Sequence, residues 1–254
     1  MNFQQKLDLI VTTNQSLVCV GLDQADYRSN VHIINQTHDL VCAYKLNSAF
    51  YEASGDRGVK QLKLTCGYLK ENYPRIPIIL DAKRADIGST NEAHIGYAFD
   101  YVGADAITLH PYLGQEALQP FLDLKDKGLF ILCRTSNPGA AEFQDLKHDG
   151  KPLWQIVAER VSQDWNRNRN CMLVVGATYP RELKQIRQIV GDMTLLIPGI
   201  GTQGGDIKAT VTAGKNSQKA GMIINSSRGI IFAPNPRQVT LQLQHDINQY
   251  RHHS

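Results

Sequence analysis

Ile76-Pro77-Ile78-Ile79-Leu80-Asp81-Ala82-Lys83-Arg84-Ala85-Asp86-Ile87-Gly88-Ser89-Thr90 is the stretch of this chain that bears most directly on its fold and its chemistry. Its first five residues are an apolar run typical of a buried strand. Successive strand side chains point to opposite faces, so Asp81 and Lys83 leave the strand end on one face and Ala82 on the other. The spacing therefore predicts a carboxylate and an ammonium group in one small space.

Asp86 lies three residues beyond Lys83, past the predicted end of the strand. It could complete an Asp-Lys-Asp array within the chain or reach across to another subunit. Two carboxylates around one ammonium group would keep that lysine charged. A cationic acid beside fixed negative charge suits a reaction that creates a carbanion and then protonates it. The alternative is a surface salt bridge at a strand end, so the interpretation depends on the neighbouring strands.

Length and composition indicate a globular enzyme-sized chain. It has 254 residues, of which 42% are hydrophobic, enough for a large core. The net charge of +3 is small and the basic residues are dispersed, which argues against a nucleic-acid or membrane-surface partner.

The cysteines and the N-terminal sequence bear on the compartment. Five widely spaced cysteines form no C-x-x-C pair and are typical of buried thiols in a reducing compartment. The N-terminus lacks the apolar core of a signal peptide, and no segment approaches about 18 uninterrupted apolar residues. We therefore expect a cytoplasmic protein.

Eight apolar runs of strand type recur along the chain. They are Leu17–Leu22, Leu40–Leu46, Ile76–Leu80, Ala106–Leu109, Leu129–Cys133, Met172–Val175, Met193–Ile197 and Gly221–Ile224. Helical patterns alternate with them, at Gly58–Asn72, Asn91–Val102, Gln115–Lys127, Pro152–Asn166, Arg181–Gly191, Gly205–Ala213 and Pro236–Tyr250. Apolar strands alternating with helices indicate a parallel sheet.

Eight such units favour an α/β fold of the (β/α)8 TIM barrel type over the alternative, an open Rossmann-like sheet. No linker-like segment divides the chain, so residues 1–254 are predicted to form one domain. A further helix over Asn2–Thr13 is expected to plug or flank the barrel.

Chemistry in such a barrel lies where the strands end. Strand one ends at Asp23, strand two carries Lys45 near its end, and strand three leads into Asp81 and Lys83. Each residue alone could be an ordinary polar residue at a strand end. Their placement on one rim predicts a catalytic cluster, whereas His110, after strand four, is better explained as a packed rim residue.

The segment after strand five begins Arg134-Thr135-Ser136-Asn137-Pro138-Gly139 and continues to about Lys151. A connection of this length is usually a lid or a binding loop. Ser136 and Asn137 offer hydroxyl and amide groups suited to a planar ligand with carbonyl and N–H edges. A capped Pro-Gly turn explains the same residues equally well.

Strand seven leads into Pro198-Gly199-Ile200-Gly201-Thr202-Gln203-Gly204-Gly205-Asp206. Its G-x-G-x-x-G spacing matches a dinucleotide fingerprint, but it stands late in the chain and lacks an acid about 20 residues onward. With Ser226-Ser227-Arg228-Gly229 after strand eight, it instead matches the phosphate cradle of a TIM barrel. Backbone N–H groups and Arg228 would hold the anion, and Gln203 would complete the grip.

These motifs together resemble the orotidine 5'-phosphate decarboxylase family in its monofunctional prokaryotic form. The resemblance rests on Asp23, Lys45, the run from Asp81 to Thr90, the Ser136-Asn137-Pro138 loop and both phosphate-loop motifs, so it extends from strand one through strand eight.

The resemblance implies decarboxylation of orotidine 5'-monophosphate to uridine 5'-monophosphate, without metal or organic cofactor. Lys83 would donate the proton to C6, and Asp81 would lie against the substrate carboxylate. Lys45 would orient Asp81 and touch the ribose, while Asp23 would accept a ribose hydroxyl.

It further implies a homodimer with shared active sites. Asp86, Ile87 and Thr90 would enter the site of the neighbouring subunit. Ser136 would contact the pyrimidine edge, and the substrate phosphate would lie in the cradle formed by Pro198, Gln203, Ser227 and Arg228.

Three alternatives remain at this point. A magnesium-dependent phosphosugar barrel shares the D-x-K-x-x-D pattern but presents a glutamate where this chain has Lys45. A Schiff-base aldolase would use Lys45 or Lys83 as nucleophile, but it requires a lysine of lowered pKa, which flanking carboxylates oppose. A non-catalytic phosphate-binding barrel would carry the charged cluster without a task.

Overall fold

Eight parallel strands close into a barrel in the computed structural model of the chain, which describes residues 1–200 and 205–252. The strands are β1 (Val18–Gly21), β2 (Ala43–Asn47), β3 (Ile78–Arg84), β4 (Ala106–Leu109), β5 (Gly128–Arg134), β6 (Cys171–Val175), β7 (Leu195–Pro198) and β8 (Met222–Ser226). Each pairs with its neighbour in sequence, and β1 pairs with both β2 and β8, which closes the sheet. The predicted (β/α)8 barrel is confirmed, and every predicted strand overlaps an observed one.

Helices surround the barrel. They are α1 (Phe3–Asn14), α2 (Tyr27–Thr37), α3 (Ser48–Glu52), α4 (Gly55–Asn72), α5 (Gly88–Ile95), α6 (Gly114–Leu122), α7 (Ala141–Gln144), α8 (Leu153–Arg160), α9 (Pro180–Val190), α10 (Ile207–Gly214), α11 (Arg228–Ile231) and α12 (Pro236–His252). The strands are almost wholly buried, since their outer faces pack on helices and their inner faces fill the barrel.

Helix α1 closes the amino-terminal end of the barrel. The Phe3 ring packs edge-to-face on Phe130 of β5, with ring centroids 5.6 Å apart. Lys6 forms an ion pair of 2.8 Å with Asp105, just before β4. With this end covered, the carboxyl ends of the strands are left to build a site.

Local packing accounts for the main differences from the sequence prediction. Helix α2 was not predicted, because the buried Asn30 and Thr37 interrupt its apolar period. The predicted helices over Asn91–Val102 and Pro152–Asn166 each begin as an α-helix and finish as a π-helical turn, at Gly96–Tyr101 and Val161–Trp165.

The connection after β5 contains more structure than an irregular loop. It includes a 3₁₀ turn (Pro138–Ala140), α7 and a two-stranded antiparallel ribbon formed by Lys147–His148 and Lys151–Pro152.

Across residues 1–200 and 205–252, no helix is both long enough and apolar enough to cross a membrane.

Candidate active site

The register between β1, β2 and β3 aligns their carboxyl ends on one rim. Gly21 of β1 is opposite Lys45 of β2, and Asn47, at the end of β2, is opposite Asp81 of β3. Paired residues of parallel strands point to the same side. Lys45 therefore projects from the same rim as Asp81 and Lys83, which lie near the end of β3.

Asp81 lies between two ammonium groups. Its Oδ2 accepts a hydrogen bond of 3.0 Å from Nζ of Lys45, and its Oδ1 accepts one of 2.7 Å from Nζ of Lys83. The side chains of Lys45 and Asp81 are 6% and 11% exposed, whereas that of Lys83 is 48% exposed. The array thus has a buried half, formed by Lys45 and Asp81, and one lysine side chain that a ligand can reach. The contact between Asp81 and Lys83 is the one that their spacing predicted.

The two lysines hold Asp81 ionised despite its burial. Burial by itself would raise the pKa of Asp81, but the charges of Lys45 and then Lys83 outweigh it and hold that pKa well below its usual range. Burial would likewise lower the pKa of Lys45, and here the charges of Asp81 and then Asp23 prevail and raise it. Both members of the buried pair are therefore charged at neutral pH.

A cleft of about 450 Å³ opens beside the array and reaches it through Lys45. Its lining consists of Asp23, Lys45, Phe50, Pro198, Gly199, Ile200, Asn225, Ser226, Ser227 and Arg228. The volume is in the range of small-molecule sites. The cleft brings together the predicted ligand residues Asp23, Pro198, Ser227 and Arg228.

Two buried oxygen atoms beside this cleft lack a hydrogen-bond donor among the described residues, namely Oδ1 of Asp23 and Oδ1 of Asn225. Buried acceptors are normally paired, so each is suited to a donor supplied by a ligand. Gly21 borders the same region, where a Cβ atom would lie 1.8 Å from Oγ of Ser227. A side chain at position 21 would therefore displace this part of the cleft wall.

Asp86, Ile87 and Thr90 are not among the described residues that line the cleft. Within the described part of the chain, Asp81 is the one ion-pair partner of Lys83, and Asp86 forms no ion pair with it. Oδ1 of Asp86 instead accepts from the backbone N–H of Ile87, whose side chain is 61% exposed. The sequence left open whether Asp86 completes the Asp-Lys-Asp array within its own chain or reaches another subunit. In the described chain it does not complete the array.

Buried Asn91 holds the segment that carries Asp86. Its side chain accepts from the backbone N–H of Asp86 and donates to the carbonyls of Asp86 and Ala117. The three residues predicted to act together therefore lie on one anchored segment whose Ile87 and Thr90 are open to solvent.

Ser136 stands at the end of β5, beside the end of β6, and is not among the described residues that line the cleft. Gly176 makes room for it, because a Cβ there would lie 2.7 Å from Cβ of Ser136. The buried Arg134 guanidinium bonds to Gln144 and Asp145 and stacks 3.9 Å from the Tyr179 ring. The segment that carries Ser136 is thereby tied to the barrel. Gln203 lies outside the described residues.

Sequence reasoning missed three residues of the site. The Thr108 hydroxyl donates to Oδ1 of Asp81 over 2.9 Å, Asn225 lines the cleft, and Phe50 forms part of its rim. A signal was available for the first two, since Thr108 is the one polar residue of β4 and Asn225 directly follows the apolar run of β8. Phe50 gave none, because α3 was not predicted.

The arrangement combines an exposed lysine side chain, a fixed carboxylate and a polar cleft that ends in a cationic side chain. Such a set can stabilise negative charge that develops on a bound molecule and then protonate it.

Comparisons with known proteins point to one family. Residues 16–243 match the family described as Orotidine 5'-phosphate decarboxylase / HUMPS family. The orotidine 5'-phosphate decarboxylase of Janthinobacterium sp. (strain Marseille) is 47% identical, with 98% of this chain and 99% of that protein covered. The protein of the same name from Cellvibrio japonicus (strain Ueda107) is 45% identical, with coverage of 99% and 100%. A solved structure of Leishmania donovani OMP decarboxylase superposes with a TM-score of 0.94 at 38% identity over 100% of both chains.

Proposed function

The chain belongs to the orotidine 5'-phosphate decarboxylase / HUMPS family. We propose that it is a carboxy-lyase that converts orotidine 5'-monophosphate to uridine 5'-monophosphate and carbon dioxide, the last step of uridylate synthesis. The observation that carries the proposal is the placement of the Asp81 carboxylate between Lys45 and Lys83, beside a cleft that contains Arg228.

Lys83 is the proton donor in this proposal. The bond between C6 of the pyrimidine and the carboxylate carbon breaks, its electron pair stays on C6, and carbon dioxide leaves. An N–H proton of the Lys83 ammonium group then moves to C6, and solvent restores that proton. The 48% exposure of the Lys83 side chain supports this role, because a ligand can reach this side chain while Asp81 holds its ammonium group.

Asp81 and Lys45 form the fixed electrostatic part of the mechanism. Asp81 lies against the substrate carboxylate, and this like-charge contact is relieved as carbon dioxide departs. The charged Lys83 stabilises the developing carbanion. Lys45 holds Asp81 in place and contacts the ribose, a role supported by its position in the cleft lining.

The cleft binds the rest of the nucleotide. Asp23 accepts a hydrogen bond from a ribose hydroxyl, and its buried Oδ1, which has no donor among the described residues, is suited to this role. Arg228 binds the phosphate together with Ser227, Pro198 borders this end, and Gln203 completes the grip. Ser136 contacts the pyrimidine edge, and the energy of phosphate binding drives closure of a lid over the ligand.

The active form is a homodimer with two shared sites. Asp86, Ile87 and Thr90 of each subunit enter the site of its partner, and the Asp86 carboxylate there adds a second negative charge beside Lys83. The absence of an ion pair between Lys83 and Asp86 in the described chain, and the exposure of Ile87, support this assignment. Each chain acts in the cytoplasm as one barrel domain, without metal or organic cofactor.

The first test is release of carbon dioxide from orotidine 5'-monophosphate by protein pre-treated with a chelator. Full activity is expected without added metal. The phosphosugar alternative predicts the reverse, namely turnover only of a phosphosugar and only with magnesium. Lys45 opposes that alternative, since it places a cation against Asp81 where a metal ligand would be needed.

The second test addresses Lys83. Lys83→Ala is expected to abolish turnover while a phosphate-bearing nucleotide analogue still binds, because the phosphate lies at the far end of the cleft. Lys60→Ala, on the exposed face of α4, is the control and should retain full turnover. Near-normal turnover by Lys83→Ala would remove Lys83 from the mechanism.

A further inference from the structure

Strand β3 bulges at the position of the catalytic array. Leu80 is opposite Ile107 of β4, but the next paired residue of β3, Arg84, is opposite Leu109. Four steps along β3 therefore face two along β4. Within the bulge Lys83 has a φ of +49°, in the left-handed region that residues other than glycine seldom adopt. The strained residue is the proposed proton donor, so some contact has to hold it there.

Side chains replace the ladder hydrogen bonds that the bulge disrupts. The backbone N–H of Lys83 donates to Oγ1 of Thr108 over 2.9 Å, and the carbonyl of Ala82 accepts from Nη1 of Arg84 over 3.2 Å. The Arg84 guanidinium is itself paired with Glu52 on α3. An N–H that is partly withdrawn from water and lacks an acceptor is costly, so the Thr108 hydroxyl favours the bulged conformation.

The direction of the Thr108 hydroxyl proton follows from this geometry. Because Oγ1 accepts the N–H of Lys83, its own proton is available to a different acceptor. Oδ1 of Asp81, at 2.9 Å from Oγ1, is that acceptor, and it also accepts a hydrogen bond from the Lys83 ammonium group. One buried hydroxyl thus contacts both the backbone of Lys83 and the carboxylate of Asp81.

We propose that Thr108 is a positioning residue of the reaction, a side chain that holds the bulged backbone of Lys83 and the carboxylate of Asp81 in a single arrangement. This inference rests on the proposed function for its kinetic consequence but not for its structural one. Thr108 is not among the described residues that line the cleft, so its effect passes through Asp81 and Lys83 rather than through binding of the nucleotide.

The test compares Thr108→Val, which keeps the shape but has no hydroxyl, with Thr108→Ser, which keeps the hydroxyl. We expect Thr108→Val to lower kcat by about 10- to 100-fold, the equivalent of one hydrogen bond to a charged group, with KM changed by no more than about 2-fold. Thr108→Ser should stay within about 3-fold of the parent kcat. Thr240→Val is the matched control, because it removes another buried hydroxyl, bonded to the Pro236 carbonyl, far from the array.

Amide hydrogen exchange at Lys83 gives a readout that does not depend on turnover. The exchange should accelerate in Thr108→Val and return to the parent rate in Thr108→Ser, since only the hydroxyl accepts this N–H. If Thr108→Val does not fold, Thr108→Ala takes its place in both measurements. Failure of the parent protein to decarboxylate orotidine 5'-monophosphate would overturn the proposed function, while the exchange rates would still decide the role of Thr108.

Two results would overturn the inference. One is a kcat of Thr108→Val equal to that of Thr240→Val. The other is an unchanged Lys83 exchange rate in Thr108→Val. A fall in kcat that Thr108→Ser does not restore would equally count against the hydroxyl, since the shape of the side chain would then be responsible.

Discussion

Nζ of Lys45 lies 3.0 Å from Oδ2 of Asp81, and both side chains are almost wholly withdrawn from solvent. Each charge is costly to bury alone and is tolerated because the other is present. Loss of one partner would therefore affect stability as well as chemistry.

Lys45→Met, which keeps the length of the side chain but removes its charge, should lower the free energy of unfolding by about 3 kcal/mol and abolish turnover. The cost arises because Asp81 would keep its charge with one ammonium partner in place of two. Urea denaturation and decarboxylation assays measure the two effects. Lys6→Met is the matched control, since it breaks the Lys6–Asp105 pair at the opposite end of the barrel. It should cost stability while leaving kcat unchanged; equal kinetic losses in both variants would deny Lys45 a role in the site.

The stability of the protein should fall in acid partly through Asp81. Its pKa in the folded state is below the value of about 3.9 in an unfolded chain. The ionised carboxylate therefore contributes its full stabilisation above about pH 3.9, and the contribution is lost as pH falls toward the folded-state pKa. Urea denaturation at several pH values between about 2.5 and 4.5 gives the free energy of unfolding as a function of pH. We expect this free energy to rise with pH less steeply in Asp81→Asn than in the parent, by up to about 1.4 kcal/mol per pH unit. Parallel curves for the two proteins would show that Asp81 titrates alike in the folded and unfolded states.

Mixing two inactive variants tests whether the site is shared between subunits. A dimer of one Lys83→Ala chain and one Asp86→Ala chain would contain one site with both defects and one intact site. Random mixing makes about half of the dimers mixed, so about one quarter of the parent activity should return. Each variant refolded alone is the control. No recovery in preparations verified to contain mixed dimers would mean that one chain supplies the whole site.

Gly21→Ala should damage the cleft without disturbing the barrel as a whole. The new methyl group would lie 1.8 Å from Oγ of Ser227 and 3.4 Å from Oδ1 of Asn225. We expect Ser227 and the adjoining Arg228 to move, which would raise KM by about tenfold or more through weaker phosphate binding. Gly67→Ala is the control, because a methyl group at that helical position meets open space. It should leave KM unchanged and raise stability by about 0.5 to 1 kcal/mol.

The barrel and most of the residues on its rim could be predicted from the order of the amino acids alone. Continuous apolar runs such as Ile76–Leu80 need cover on both faces, and eight of them alternating with helices leave few other architectures. The two-residue spacing of Asp81 and Lys83 is local, so their contact could be predicted from strand geometry alone. Lys45 could be placed on the same rim because it also lies near the end of a strand.

Two features of the site depend on contacts between segments that are distant in the sequence, and these could not be predicted. Thr108 is 27 residues from Asp81 in sequence, and it reaches the array because β3 bulges against β4. The direction of Asp86 likewise depends on Asn91, whose side chain is held by the Ala117 carbonyl 26 residues further along the chain. Residue periodicity encodes which face a side chain occupies, but it does not encode the register between strands or the bulge that shifts it. The sequence thus indicated which groups meet, and packing set how they are held.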